Sequence, residues 1–237
     1  MKHPLPARPE LGSHDGLAYA LFTPAEPALA GIVICHGAGS AKESHFDFAR
    51  TARARGLAAL AYDARGHGHS EGALGPGMVG DALAMCDLLR EHAPAIALRG
   101  SSMGGFTAIM AAAASHGSIG AVVALCPAPG EQLARGLRNE TLEGFDADRD
   151  ALEPWLSSVS LREAAASLGP RTALLLMHAR GDEQVPYTVS EELYAAAAEP
   201  KRLLLLPGGH HRSLQHDVEM QTVSLGFLER ALAAAAP

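Results

Sequence analysis

The chain has 237 residues, 48% of them hydrophobic and 19% charged, with 26 acidic against 19 basic side chains and a formal charge of −7. This composition is too apolar for a disordered chain, and with no basic run to follow a phosphate backbone it excludes nucleic acid as a partner. The length suits one α/β domain around one sizeable core.

The start, MKHPLPARPELG, has prolines where a signal peptide needs an apolar stretch, and no later apolar run reaches the roughly 18 residues that span a bilayer. Cys35, Cys86 and Cys126 are odd in number and widely spaced in apolar or helical surroundings. They read as small core residues in a reducing compartment, so the expected location is the cytoplasm.

Six short apolar runs follow in chain order: Gly31–Cys35, Leu57–Tyr62, Ala95–Leu98, Ala121–Leu125, Thr172–Met177 and Arg202–Leu206. Continuous runs of this length suit strands buried on both faces of a parallel sheet. Between them lie helical segments, Ser44–Arg55, Met78–His92, Met103–His116, Val189–Ala198 and Leu214–Ala235. The alternation predicts an α/β fold, a mostly parallel central sheet flanked by helices. Residues 127–170 are too long and too charged for a simple crossover and read as a small helical insertion packed over one end of the sheet.

Ligands bind at the carboxyl ends of strands in such sheets, and there the chemistry-bearing residues fall. After the first run comes His36-Gly37-Ala38-Gly39-Ser40, after the second Asp63-Ala64-Arg65-Gly66-His67-Gly68-His69-Ser70, and after the third Gly100-Ser101-Ser102-Met103-Gly104. The fifth leads into His178-Ala179-Arg180-Gly181-Asp182-Glu183-Gln184-Val185-Pro186, and the sixth into Pro207-Gly208-Gly209-His210-His211. Gly100-x-Ser102-x-Gly104 fits the G-x-S-x-G elbow that exposes a nucleophilic serine between strand and helix. A serine, an acid and a histidine follow in that order.

These five motifs together resemble the α/β-hydrolase family over nearly the whole chain, nearest its small esterases, the feruloyl-esterase-like and dienelactone-hydrolase-like enzymes. The resemblance implies Ser102 as nucleophile, His211 as base by its spacing from Gly208, and Asp182 as the acid that orients it. It also implies that the backbone N–H groups of Ala38 and Met103 meet the oxyanion. Ala179 departs from the family's glycine in the acid loop but leaves Asp182 in place. His210 competes with His211, and Ser101 with Ser102. Glu183 reads as solvated, His216 as a surface residue and His36 as structural.

GAGSAKES fails as a phosphate loop, since Ala41 and Glu43 break the pattern. His67-Gly68-His69 is no two-metal hydrolase motif, so no metal or organic cofactor is expected. Arg65 is expected to tie down its own turn, and Lys42, Glu43 and His45 read as surface charge or, lying beside the expected oxyanion loop, as substrate contacts. Trp155 and Phe145, with Leu156, are candidates for the acyl or alcohol pocket, although burying the insertion serves them equally well. The expected activity is cleavage of small or short-chain carboxylic esters through an acyl-enzyme. The alternatives are a peptidase or thioesterase on the same scaffold, or a non-catalytic binding protein. The expected partner is a small-molecule ester, with at most a second copy of the chain as homodimer.

Overall fold

A computed structural model describes residues 8–235. Most of the proline-rich start read above lies outside the described residues.

Eight strands form one sheet: β1 (Glu10–His14), β2 (Leu17–Phe22), β3 (Gly31–Cys35), β4 (Ala58–Tyr62), β5 (Ile96–Ser101), β6 (Ala121–Leu125), β7 (Ala173–Ala179) and β8 (Lys201–Leu206). Their order is β1-β2-β4-β3-β5-β6-β7-β8. The pairs β1/β2 and β2/β4 are antiparallel, and every pairing from β4 through β8 is parallel. The helices are α1 (Phe46–Ala54), α2 (Met78–Arg90), α3 (Met103–Ala114), α4 (Gly130–Arg138), α5 (Arg149–Ser158), α6 (Leu161–Ser167), α7 (Thr188–Ala196), α8 (Ser213–His216) and α9 (Val218–Ala235). No helix among the described residues is long and apolar enough to cross a membrane.

The central strands β3, β4 and β6 are apolar at every position because both faces are covered. Val33, Leu98, Val122 and Leu176 face a core shared with α2, α3, α6 and α7, while Ile32, Ala97, Val123 and Leu175 face one shared with α1 and α9. The mostly parallel sheet flanked by helices is thus the architecture expected from the runs. Two strands were not anticipated. β1 and β2 are joined by Asp15 and Gly16, both at positive φ (51° and 78°), a turn whose twist matches that of the strands it connects.

The helical insertion is built in two parts. α4 and α5 bury Leu133, Leu137, Leu152 and Leu156 in the same core as Met103 and Phe106. Backbone bonds lace the loop before α5 to the rest: Leu74 N–H donates to Asp146 O at 2.8 Å, and Asp146 N–H to Gly66 O at 3.0 Å. Asp148 caps α5 through Ala151 N–H (3.2 Å), and Ser160 caps α6 through Glu163 N–H (3.2 Å). α6 packs on α3 and α7, as the crossover helix between β6 and β7.

The chain leaves β3 for β4 on one side and returns to β5 on the other. The strand order therefore reverses beside β3 and β5, the place where parallel sheets open a crevice.

Candidate active site

Ser102 sits at that crevice, one residue past β5 and one before α3, with φ 54° and ψ −118°. A non-glycine residue there carries strain of about 1–3 kcal/mol, which the surroundings must hold in place. Its N–H donates to Leu125 O (2.9 Å), and its carbonyl accepts from Phe106 N–H (3.0 Å) and Ala128 N–H (3.2 Å). The neighbouring glycines act through close approach. A Cβ on Gly100 would stand 2.0 Å from Gly104 O, and one on Gly104 would stand 2.1 Å from Cys35 O. The elbow is thus clamped against both its own helix and β3.

The loop after β3 lies against the elbow, with an added Cβ on Gly37 reaching ordinary contact with Ser102 Cβ at 3.4 Å. Two histidines hold this loop and the turn after β4 as hydrogen-bond acceptors. His36 Nδ1–H donates to Gly37 O (2.8 Å), leaving Nε2 to accept Ala64 N–H (2.9 Å). His67 Nδ1–H donates to Arg65 O (3.0 Å), leaving Nε2 to accept Gly39 N–H (3.2 Å). Burial pushes the His36 imidazole down to about 4 and lowers that of His67, so both stay neutral in this role. Met103 N–H, at the first position of α3, has no acceptor within its own helix and is therefore free to meet an anion. Ala38 and Ser102 line one pocket with Gly37, Leu142, Gln184 and His211, a cavity of about 60 Å³.

Asp182 follows β7, and its carboxylate is shut from solvent. Oδ1 accepts the N–H groups of Gln184 (2.9 Å) and Val185 (2.8 Å), and Oδ2 accepts His211 Nδ1–H at 2.8 Å. Burial pushes this carboxyl up, but hydrogen bonds from His178, His211 and Val185 outweigh it and hold it well below the usual carboxylate range. With Nδ1 engaged, His211 keeps the Nε2 lone pair for another partner. Glu183 is exposed, and its carboxylate accepts His211 N–H at 3.2 Å.

The competing residues are placed elsewhere. His210 is exposed and its Nδ1 accepts Arg212 N–H at 3.3 Å, while Ser101 Oγ–H donates to Gln215 Oε1 at 3.0 Å. Phe145 stacks on His67, with centroids 4.3 Å apart, and Trp155 meets Phe106 edge-on at 5.9 Å. Phe145 and Leu156 line an apolar void under α4 and α5 together with Met103 and Leu142. The pocket wall at Ser102 is shared with Leu142. Both aromatics pack the insertion against the body, and Phe145 also lines that void.

Lys42 and His45 are not surface residues. Lys42 is 4% exposed and its Nζ donates to the fully buried Asp63 at 2.6 Å, because a carboxylate removed from water needs a cation beside it. His45 is 2% exposed and lies beside Arg99, whose guanidinium covers the Phe48 ring at 4.1 Å. Arg65 does tie its turn, donating through Nε to Asp81 and through a terminal nitrogen to Asp15 O at 3.0 Å. Cys35, Cys86 and Cys126 are free and buried.

Two positions add to the reading from sequence. His178, wholly buried at the end of β7, donates through Nε2 to Val185 O (2.9 Å), stands 3.2 Å from Asp182 Oδ2, and takes the Ser190 hydroxyl on Nδ1 at 2.7 Å. Its place in the acid-loop motif was visible, its partners were not. Gln215 joins α8 to β5 by accepting from Arg99 (3.3 Å) on its carbonyl and from Ser101 on its side chain. A larger cleft of about 650 Å³ opens at the opposite end of the sheet and contains none of the expected residues.

Comparison with known proteins bears on the family and the fold. The family model described as serine aminopeptidase S33 matches residues 26–144, half of the chain. The uncharacterized protein YfhR of Escherichia coli K12 is 28% identical over 193 residues, covering 79% of this chain and 65% of that protein, so the chain spans just under two thirds of that relative's length. Among solved structures, Est1E from Butyrivibrio proteoclasticus with ferulic acid bound superposes with a TM-score of 0.73 at 21% identity, covering 94% of this chain and 99% of that one. A soluble variant of monoglyceride lipase from Saccharomyces cerevisiae gives 0.76 at 12% identity, covering 100% and 97%. The enol-lactonase of Burkholderia xenovorans LB400 gives 0.71 at 23% identity, covering 92% and 99%. At these identities the solved structures share the fold.

Proposed function

We propose, for a chain that belongs to the serine aminopeptidase S33 family of α/β hydrolases, that it cleaves small or short-chain carboxylic esters through an acyl-enzyme. In this reading Ser102 Oγ attacks the carbonyl carbon while His211 Nε2 takes its proton. Asp182 holds the imidazole in the tautomer that leaves Nε2 unprotonated and stabilises the imidazolium that follows. The N–H groups of Ala38 and Met103 receive the oxyanion, each such donor lowering the barrier by about 2.7–4 kcal/mol. His211 then protonates the departing alcohol, and a water deprotonated by the same nitrogen releases the acid.

The observation that carries this reading is the 2.8 Å bond from His211 Nδ1 to the buried Asp182 carboxylate, made by a histidine that lines the same small pocket as the strained Ser102. A cavity of about 60 Å³ supports short acyl groups; sites for drug-sized ligands run to roughly 300–1,000 Å³. Neighbours named as a monoglyceride lipase and an enol-lactonase favour the ester side, whereas the family's description as an aminopeptidase favours amides and keeps a peptidase as the second reading. Three buried free thiols suit a reducing cytoplasm.

The test is labelling by a fluorophosphonate probe, expected in the wild type and lost in Ser102→Ala, followed by rates on para-nitrophenyl esters of increasing chain length and on peptide anilides. The fastest turnover is expected on the shortest esters. Turnover of anilides alone would overturn the ester reading in favour of a peptidase, and no labelling would favour a binding protein.

A further inference from the structure

We propose that Cys126, Asp182 and His211 together bind a thiophilic divalent cation, Zn²⁺ or Cd²⁺, and that its binding switches the hydrolase off. The binding half stands on geometry alone, and the inhibitory half rests on the acyl-transfer reading above.

The three residues are brought together by the ends of three successive parallel strands. Cys126 directly follows β6 and is pinned there by its N–H to Met177 O at 2.9 Å, with φ 44°. Asp182 follows β7, and His211 follows β8. A thiol sulfur, a carboxylate oxygen and an imidazole nitrogen, one from each, lie within 4.8 Å of one another. Among the described residues this is the one group of three or more His, Cys, Asp or Glu side chains brought so close. The other thiols lack such company: Cys35 Sγ takes the Tyr62 hydroxyl at 3.7 Å in the core, and Cys86 is enclosed within α2.

Sulfur, nitrogen and oxygen at these positions match the ligand set of a tetrahedral zinc site. Zn²⁺ holds sulfur at about 2.3 Å and imidazole or carboxylate at about 2.0–2.2 Å, which sets the ligand atoms roughly 3.5 Å apart. Asp182 Oδ2 and His211 Nδ1, now 2.8 Å apart, would have to part slightly to admit the ion. Thiolate and carboxylate together neutralise the cation's two charges, and the fourth position is left to water. Binding releases the Cys126 thiol proton to solvent, the metal–sulfur bond replacing S–H.

Loss of base follows whichever ring nitrogen is used. A cation on His211 Nε2 takes the lone pair that would receive the Ser102 proton. A cation on Nδ1 moves that nitrogen's proton to Nε2, which then has no lone pair to offer. Both outcomes also separate His211 from the carboxylate that orients it.

The experiment titrates CdCl₂ into the purified wild type and into Ser102→Ala, following the ultraviolet cadmium–thiolate charge-transfer absorption. In both proteins the band is expected to saturate at one equivalent. It should be lost in Cys126→Ser, which keeps Cys35 and Cys86, and in Cys126→Ala, with circular dichroism verifying that both variants fold. No band at one equivalent, or a band that persists in the folded Cys126 variants, would overturn the site. A second arm measures para-nitrophenyl acetate hydrolysis with ZnCl₂ added: inhibition reversed by EDTA is expected, weakened at least tenfold in Cys126→Ser. A band without inhibition overturns the switch and leaves the cation site standing. A band in a protein that neither labels with fluorophosphonate nor hydrolyses any ester overturns the proposed function and not the site.

Discussion

The places of Ser102, Asp182 and His211 just past β5, β7 and β8 were legible from sequence because each follows a short local rule: an apolar run ends, and a small set of turn residues places one side chain at the strand's carboxyl end. Lys42 and His45 were misread for the opposite reason. A lysine in a polar loop looks the same whether solvated or buried, and what buries Lys42 is Asp63, on a different loop 21 residues away. Replacing Lys42 by Met should destabilise the protein by about 3 kcal/mol, since Asp63 would be left buried without its cation; urea unfolding measures this. His36 sets a pH dependence of definite sign. Its imidazole titrates at about 4 in the folded state against an ordinary value of 6.5. Between those values the unfolded chain binds a proton that the folded one refuses, so stability is full above pH 6.5 and falls as the pH drops toward 4. At 1.36 kcal/mol per pH unit the loss is about 3 kcal/mol. Urea midpoints from pH 7 to 4 should show it, and His36→Gln, which keeps an amide acceptor and does not titrate, should flatten this part of the curve.

Among elements, the central strands and the helices between them could be read because each carries its own period of hydrophobicity. The hairpin β1–β2 was missed although Asp15-Gly16 is a strong two-residue turn signal: its outer strand β1 is mostly exposed and short of apolar residues, so no run announces it. The single long helix expected over Leu214–Ala235 is two, because the Asp217 side chain caps a new start by accepting Met220 N–H at 2.9 Å. The elbow makes a sharper test of close packing between elements. Gly104→Ala pushes a methyl into Cys35 O and should cost about 1–3 kcal/mol with loss of fluorophosphonate labelling. Gly80→Ala, in α2 with nothing within 4 Å of the new atom, should stabilise by about 0.5–1 kcal/mol. Denaturant midpoints compare the two directly, and equal effects would mean that the clamp around the elbow is loose.

At the scale of the whole molecule, the insertion meets the sheet beside Ser102, and the proposed function makes this junction the determinant of substrate range. Leu142 walls the Ser102 pocket on one side and the apolar void under α4 and α5 on the other. Leu142→Ala should join the two spaces and move the preferred para-nitrophenyl ester toward longer acyl chains, with kcat/KM on acetate changed less than that on hexanoate. An unchanged chain-length profile would place the acyl group elsewhere. The expectation that Trp155 and Phe145 form the pocket rested on their being the large aromatics of the insertion; in the fold Trp155 meets Phe106 edge-on and Phe145 stacks on His67, contacts that pack the insertion to the body.

By itself the sequence determined the α/β architecture and the residue types at the ends of the parallel strands, since apolar period, glycine spacing and loop order are local properties of a chain. Only the tertiary structure decided which histidine meets Asp182, that Lys42 and Arg99 are buried, and that a thiol from β6 stands beside the acid of β7 and the histidine of β8. Those outcomes depend on side chains far apart in sequence arriving at one place, where removal from water makes each polar group choose a specific partner.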